Sequence, residues 1–418
     1  MKRIREHFNP WLVVVGGFLV MALLHSMIQT CFSLFLSPVV NHMGVTRTAF
    51  SFCTSLVGIS TAVLAPTMGR LLGTSKYTRK VFLLCIVGMA LSYASYALAG
   101  QIWHMYISAI FVGIFSCGAI SMPISIIIAN WFEKRRGLAM SIALAGSGIG
   151  GSIITPILTE VIDRSGWRSA FLLFSLAMIV IEIPVALLLM PTTPQHENFS
   201  EGFLTKDIPE NEGRSIPLSW LKEQPFFYIY LVGMFAVSFV GYGSLSHLAL
   251  HLTDVYDAEF SNAIISFFLL ILTPAKIVLG YIYDKLGAKF GTILVMICHA
   301  VSFLMLHFTG SESMMWFMAV FFSIGISNGT VAPSVVTPLL FGTKEYGTIF
   351  GYVYSFCMIG MVVGSPFIAL IFDVTGTYQL AWSTCFAICL LSIICLVYAD
   401  NRCEYAVKLL SPINKITK

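Results

Sequence analysis

The residue with the clearest chemical potential is Lys276, which lies in the stretch Thr273 to Lys289, TPAKIVLGYIYDKLGAK. It comes seven residues before Tyr283, about 10 Å into a helix that rises 1.5 Å per residue, and no acid occurs within five positions of it. An ammonium at that depth costs about 3 kcal/mol in a membrane, so it must face water, a partner or an anion. We interpret Lys276 as a cation that binds an anionic substrate. The alternative is a structural lysine that pairs with an acid or extends to the interface.

Two further ionisable side chains lie deep in apolar segments. Glu182 is the other deep charge, and it could carry a proton or pair with a neighbour in a structural role. His247 is suited to proton transfer, because an unperturbed imidazole titrates near a pH of about 6.5. A core histidine with satisfied hydrogen bonds is an equally good interpretation of His247.

Uncharged polar side chains provide weaker candidates for contact with an anion. His25 and Gln29 are four residues apart and therefore share one helical face, where they could donate to a carboxylate or join two helices. Ser121, Asn328 and Tyr354 could contact substrate as well, although packing explains each of them equally well.

The sequence carries no sign of an enzyme, a metal site or a cofactor. The ten cysteines form no C-x-x-C pair and nine lie in apolar runs, which is typical of small buried hydrophobic residues. There is no H-E-x-x-H or H-x-x-x-D cluster, and no pair of deep carboxylates. No basic patch interleaved with aromatic residues indicates a nucleic-acid partner.

The elements that must position these residues are membrane helices. Of the 418 residues 57% are apolar and 11% are charged, whereas soluble proteins have about 25% charged residues. Apolar runs of about 20 residues predict an all-α membrane protein with twelve transmembrane helices. The predicted segments are 11–36, 48–68, 81–99, 103–129, 137–158, 169–190, 226–252, 261–283, 290–308, 314–340, 347–371 and 378–399.

The positions of lysine and arginine predict the orientation. With the N-terminus in the cytoplasm, twenty of the 24 basic residues fall on the cytoplasmic side, Lys276 lies in the membrane, and three fall outside. Those three are Arg47, Arg164 and Arg168. We therefore predict a multi-pass protein of the cell membrane with both termini in the cytoplasm.

The predicted helices and the polar stretches between them divide the chain into four parts. These are an N-terminal six-helix bundle at 1–190, a linker at 191–225, a C-terminal six-helix bundle at 226–400 and a tail at 401–418. The linker is polar, and we expect it to have little fixed structure. Met1 to Leu24 looks like a secretory signal, but its apolar part continues to about Phe35 without a cleavage site. We interpret it as a retained first helix.

The two halves repeat each other at an offset of about 210 residues. The matching pairs are Gly69 and Gly280, Gly118 and Gly329, Pro123 and Pro333, Gly137 and Gly347, Asp163 and Asp373, and Gly166 and Gly376. Tandem halves of this kind place a substrate site near the middle of the membrane between the halves.

One loop carries a family signature. The motif Gly280-x-x-x-Asp284-Lys285-x-Gly287-x-Lys289 resembles that of the major facilitator superfamily. The resemblance implies the major facilitator fold of two pseudo-repeated six-helix bundles. The matching first-half loop, Gly69 to Gly73, lacks the acid, so we expect it to lock the inside-closed state less well.

Two other motifs resemble the monocarboxylate transporters and the related oxalate:formate antiporter. They are the stretch NWFEKRRGLAMSIALAGSGIGG at 130–151, which includes Lys134, Arg135 and Arg136, and the opening NPWLVVVGG at 9–17. Together with HLALHLTD at 247–254, the resemblance covers nearly the whole chain. It implies the carriage of small organic carboxylates. It also implies that His247 contacts substrate or carries a proton, because this residue aligns with such a histidine of bacterial lactate carriers.

Within this resemblance Lys276 stands where relatives have a carboxylate-binding arginine. An ammonium is a point charge and lacks the planar fork of a guanidinium, so affinity or geometry should differ. Relatives also have an acid at the position of Leu272 and further cations near Leu34 and Val353, and these are absent here. A single deep cation suits a monoanion better than a dianion.

The sequence therefore predicts a secondary transporter of a small organic anion, most simply a monocarboxylate, with proton symport or anion exchange. The alternatives are an exporter of larger drug-like or sugar substrates and a membrane sensor that binds without translocation. The expected partners are the anion, a proton or exchanged anion, and the lipid bilayer. The oligomeric state is left open, and a monomer is compatible with the sequence.

Overall fold

The computed structural model of the chain describes residues 8–74, 76–192, 215–308 and 310–410. Within these ranges all regular secondary structure is helical and no strand occurs. An isolated helix satisfies all of its internal backbone hydrogen bonds, which is why it is the element that an apolar sequence can place in lipid.

In the part of the chain that the structure describes, ten helical runs are long and apolar enough to cross a membrane: Trp11–Met43, Arg47–Gly73, Thr78–Leu98, Ile102–Trp131, Arg136–Leu188, Pro225–Val255, Glu259–Phe308, Glu312–Phe341, Tyr346–Thr375 and Gln379–Val407. Two of them, of 53 and 50 residues, are about twice the usual length. Each of the two is interrupted in its middle, as described next, so the ten runs correspond to the twelve spans that the sequence predicts.

Glycines make the two interruptions. Gly166 has φ 79° and ψ 162°, and Gly287 has φ 79° and ψ 172°, a backbone region that is open almost only to glycine. The long runs therefore consist of the fifth and sixth spans, 136–165 and 167–188, and the eighth and ninth spans, 259–286 and 288–308. The predicted fold class is confirmed.

The first span is not a regular α-helix. It begins as an α-helix at Trp11–Val20, continues as a π-helix at Met21–Thr30 and a 3₁₀ helix at Cys31–Phe35, and ends as an α-helix at Leu36–Met43. The π-helical segment carries two of the predicted site residues, His25 and Gln29. Widened helical turns of this kind are frequent at functional sites.

The chain forms two compact units. The first unit comprises Met1–Glu133 and Ile142–Ser200, and the second comprises Lys134–Ser141 and Glu201–Lys418. Each unit contains a close helix pair that requires glycine. In the first, a Cβ at Gly150 would lie 2.0 Å from the carbonyl oxygen of Ala22, and in the second, a Cβ at Gly360 would lie 2.4 Å from that of Phe235. The two glycines are 210 residues apart, which is the offset of the sequence repeat.

The end of the predicted linker is ordered. Residues 193–214 lie outside the described residues, but residues 215–224, here called the linker end, contain a short helix, Leu218–Leu221. Ile216 N–H donates to the carbonyl of Phe341 at 3.1 Å, and Leu221 is fully buried. The expectation of little fixed structure is therefore wrong for this part, because its apolar side chains pack on the second unit. The domain boundaries stay a prediction.

Candidate functional site

The predicted site residues are distributed over both units. His25, Gln29, Ser121 and Glu182 belong to the first unit, and His247, Lys276, Asn328 and Tyr354 belong to the second. The geometry of each group is described within its own unit.

Lys276 lies in the eighth span and only 5% of its surface is exposed. Pro274 precedes it by two residues inside the same helix and removes one backbone hydrogen bond there. A charged side chain in such a position must be compensated by its surroundings or by a ligand. The structure thus gives Lys276 the buried position that the sequence predicts, and its role in substrate binding stays a prediction.

Tyr283 fixes the face of the eighth span that carries Lys276. The two residues are seven positions apart, close to two helical turns, so their side chains leave the helix on the same side. The Tyr283 hydroxyl donates to Oδ1 of Asn328 at 2.6 Å and lies 3.4 Å from Oγ1 of Thr292. This face of the eighth span is therefore held toward the ninth and tenth spans.

Asn328 has a structural use in the second unit. It is fully buried, its amide oxygen accepts from Tyr283, and its amide nitrogen lies 3.4 Å from Sδ of Met296. These contacts tie the tenth span to the eighth and ninth spans. Contact of Asn328 with substrate stays a prediction.

His247 is buried with partners for both ring nitrogens. Nε2 lies 3.0 Å from the backbone oxygen of Ser365, which can only accept, so Nε2 carries the proton. Nδ1 lies 3.3 Å from the hydroxyl of Tyr378 and can accept from it. This arrangement satisfies a neutral imidazole, as the interpretation of His247 as a core histidine requires.

Tyr354 is the last of the four predicted residues of the second unit. It lies in the eleventh span, half-buried, with its ring centroid 5.7 Å from that of Phe350. Its neighbour Tyr352 accepts a hydrogen bond from Nζ of Lys222 at 2.8 Å, which ties the eleventh span to the linker end.

In the first unit, Gln29 is exposed and His25 is half-buried. Gln29 lines a small cavity with seven other residues, namely Ile28, Phe32, Thr54, Val57, Tyr93, Tyr96 and Val112. The Ser121 hydroxyl contributes a contact of 3.8 Å with Sδ of Met21. The cavity lies beside the π-helical segment, so the irregular helix presents one of its predicted polar residues to an open space.

Glu182 is the second deep charge that the sequence predicts. Its side chain is fully buried in the sixth span, and neither carboxyl oxygen has a hydrogen-bond partner among the described residues. Burial without a partner is costly for a carboxylate and much less so for the neutral acid.

The loop motif binds the start of the fifth span. The two carboxylate oxygens of Asp284 accept from the backbone N–H groups of Gly137 and Leu138 at 2.7 and 2.8 Å. Free N–H groups at a helix N-terminus, and the positive end of its dipole, favour an anion at this position. A Cβ at Gly280 would lie 2.4 Å from the carbonyl oxygen of Gly137, so this contact requires a glycine.

The basic residues of the two motifs have more varied surroundings. Nζ of Lys289 donates to Oδ1 of Asn401 at 2.6 Å, and Nζ of Lys285 lies 5.9 Å from the ring centroid of Tyr281. Arg135 has a left-handed backbone with φ 58° in the turn before the fifth span. Lys134 and Arg136 flank it, and Arg136 begins the helix. Gly287 supplies the break between the eighth and ninth spans.

Sequence reasoning missed the residues that hold the predicted ones in place. Ser365 and Tyr378 fix His247 from positions 118 and 131 residues away. The spacing of seven residues between Lys276 and Tyr283 is a signal in the sequence that both side chains share one face of the helix. The described residues contain no group of three metal-ligating side chains placed to hold an ion.

Comparisons with known proteins place this arrangement in a family. The sequence pattern of the Major Facilitator Superfamily matches residues 18–338. Monocarboxylate transporter 13 of Bos taurus is 24% identical over 375 residues, which are 88% of this chain and 84% of the bovine protein.

Solved structures show the same fold. The transporter FucP in an outward conformation aligns with a TM-score of 0.70 at 12% identity, covering 94% of this chain and 99% of FucP. The human organic anion transporter MFSD10 aligns with a TM-score of 0.64 at 16% identity, covering 93% and 97% of the two chains. The resemblance predicted from the motifs is thus confirmed, and the chain belongs to the Major Facilitator Superfamily of multi-pass membrane transporters.

Proposed function

We propose that this protein is a secondary transporter of small monocarboxylates that binds the carboxylate at Lys276. The observation that carries the proposal is the burial of this ammonium in the eighth span, at a depth where a positive charge needs a functional reason. The names of the relatives are consistent with such a cargo.

The charge of the proposed cargo follows from the number of deep cations. Lys276 is the only lysine or arginine that the sequence places inside a span, so a second carboxylate would find no equivalent charge. A monoanion therefore fits better than a dianion. We further propose that the protein lies in the cell membrane with both termini in the cytoplasm, since this orientation places most lysines and arginines inside.

Gln29, His25, Ser121, His247, Asn328 and Tyr354 are proposed to contribute uncharged contacts. Of these, Gln29 has the best support because it is exposed and lines a cavity. An exporter of larger uncharged drug-like or sugar molecules would leave the burial of Lys276 unexplained, whereas a sensor would bind the anion without translocation.

Uptake by reconstituted protein tests the proposal. Lys276→Ala should reduce uptake of labelled lactate or pyruvate to the level of empty liposomes, whereas Lys276→Arg should keep part of it because the charge remains. The exposed Lys344→Ala is a matched control that should transport normally. Undiminished uptake by the alanine variant at position 276 would contradict the proposal, and binding without uptake in the unmodified protein would favour a sensor.

A further inference from the structure

The proposed binding of the anion leaves one buried acid without a role. Glu182 is fully buried in the first unit, and its two oxygens have no hydrogen-bond partner among the described residues. A charged carboxylate is strongly unfavourable in such a setting, so the site holds a neutral, protonated acid. A group that is stable only with its proton can store one during transport.

Two interhelical hydrogen bonds show which neighbour Glu182 faces. Ser175 Oγ donates to the carbonyl of Ala90 at 2.8 Å, and a guanidinium nitrogen of Arg79 donates to the carbonyl of Leu187 at 3.2 Å. Glu182 is seven residues from Ser175 and therefore shares its face of the helix. It lies opposite residues 79–90 of the third span, whose ionisable side chains are Arg79, Lys80 and Cys85.

The first span packs on the sixth span as well. The rings of Phe35 and Phe171 stack with centroids 3.9 Å apart, and a Cβ at Gly16 would lie 2.7 Å from Cγ of Met190. Residues 16–35 therefore run beside residues 171–190, and their ionisable side chains are His25 and Cys31. Glu182 is near the middle of this stretch, at the level of the π-helical segment Met21–Thr30.

His247 differs from Glu182 in the hydrogen bonding of its side chain. Both of its ring nitrogens have partners, the backbone oxygen of Ser365 and the hydroxyl of Tyr378. Its neutral form is already satisfied, so a proton added there would displace an existing contact. The two candidates for proton coupling are therefore not equivalent.

We propose that Glu182, and not His247, is the proton-binding site that couples cargo movement to a pH gradient. This inference rests on the proposed transport of a monocarboxylate. One proton carried with one monoanion adds no net charge to the moving unit. Glu182 lies six residues from Leu188, about 9 Å from the end of the sixth span that the charge pattern assigns to the cytoplasm.

Release of the proton has a structural consequence. It leaves a carboxylate, which needs water or another polar partner. The contact between the first, third and sixth spans must then open to admit that partner. Because the π-helical segment lies at the same level, opening would move His25 and Gln29, and the charge of Glu182 would be linked to the face that carries these residues.

Transport measurements on full-length protein in proteoliposomes distinguish proton coupling from cargo binding. An imposed gradient of one pH unit can sustain about a tenfold accumulation of cargo by a symporter of one proton per anion, because each pH unit equals a factor of ten in proton activity. Glu182→Gln, which mimics the neutral acid, should abolish this accumulation and keep cargo counterflow at equal pH. Loss of counterflow as well as uptake is the result expected of Lys276→Ala, so failure of the two proposals can be distinguished.

Three further variants make the outcome decisive. Glu160→Gln changes an exposed glutamate that pairs with Arg164 in the same unit and should accumulate cargo normally. Glu182→Asp should restore coupling. His247→Gln should keep its dependence on the pH gradient whatever its rate. Retained accumulation in Glu182→Gln, or loss of pH dependence in His247→Gln alone, would overturn the proposal.

A measurement on the unmodified protein covers the case in which the variants do not fold. A hydrophobic carbodiimide reacts with protonated carboxyl groups in apolar surroundings, and peptide mass spectrometry can locate the adduct. Labelling should occur at Glu182 in preference to the exposed Glu160, and it should inhibit pH-driven accumulation. Full inhibition with the adduct located elsewhere, or an unlabelled Glu182, would refute the assignment.

Discussion

The starts of the fifth and eleventh spans occupy matching positions of the sequence repeat, yet they meet different acids. At the fifth span, the carboxylate of Asp284 from the turn between the eighth and ninth spans binds two backbone N–H groups. At the eleventh span, Glu345 precedes the helix but its side chain does not cap it. Its Oε2 instead accepts from the N–H of Leu218 in the linker end at 3.0 Å.

The difference shows how a repeated motif can diverge in use. Asp284 has no acidic counterpart in the first half, where Gly73 stands in its place. A helix start with free N–H groups favours a nearby anion in either half. In this protein one half supplies that anion from a loop, and the acid beside the other helix start is used to bind the linker end to the second unit.

Removal of Asp284 should have the largest effect on this arrangement. Asp284→Ala deletes two hydrogen bonds to a charged acceptor, which we expect to cost on the order of 3 kcal/mol of folding stability. Eight of the ten cysteines are buried, so a thiol-reactive dye can follow thermal unfolding. The melting temperature should fall clearly below that of the unmodified protein.

The exposed Asp163→Asn provides the control, because it removes a carboxylate from the other unit without changing a contact of the motif. An Asp284→Ala variant as stable as this control would mean that the two hydrogen bonds do not hold the start of the fifth span. The two helix starts would then differ in sequence, but Asp284 would add no stability to the fifth span.

Removal of the charge of Glu345 should have a smaller effect. Glu345→Gln keeps an oxygen near Leu218 but loses the charge of the acceptor, which we expect to cost about 1 kcal/mol in the attachment of the linker end. Hydrogen exchange at residues 215–224 should become faster, with little change at the start of the fifth span. Equal exchange in both proteins would show that buried apolar side chains, such as Leu221, hold the linker end without help from this acid.

Most of the fold could be predicted from the sequence because lipid leaves few alternatives to helices. The segment 226–252 was predicted and the span is Pro225–Val255, and 314–340 was predicted where the helix is Glu312–Phe341. The irregular first span could not be predicted, because residues 21–35 contain neither proline nor glycine. The first span packs closely against Gly150 of the fifth span, and the local sequence of the first span carries no information about that contact.

The site was predicted only as positions along helices. The depth of Lys276 followed from its distance to a charged turn, and its burial agrees with that depth. The partners of His247 did not follow, because they come from the eleventh span and the turn after it, and a single sequence does not fix how helices are rotated about their axes. The linker end was missed for a related reason, since its polar composition concealed three buried apolar residues, Ile216, Leu218 and Leu221.

The smallest effect is expected at an exposed contact of the linker end. Nζ of Lys222 donates to the hydroxyl of Tyr352 at 2.8 Å and lies 4.7 Å from the centroid of the same ring. Tyr352→Phe removes the acceptor and keeps the ring, so about 0.5 kcal/mol should be lost from this exposed pair. Hydrogen exchange near Lys222 should change less than in Glu345→Gln. A larger change than in Glu345→Gln would reverse the ranking and assign the attachment to the eleventh span's tyrosine instead of the acid at its start.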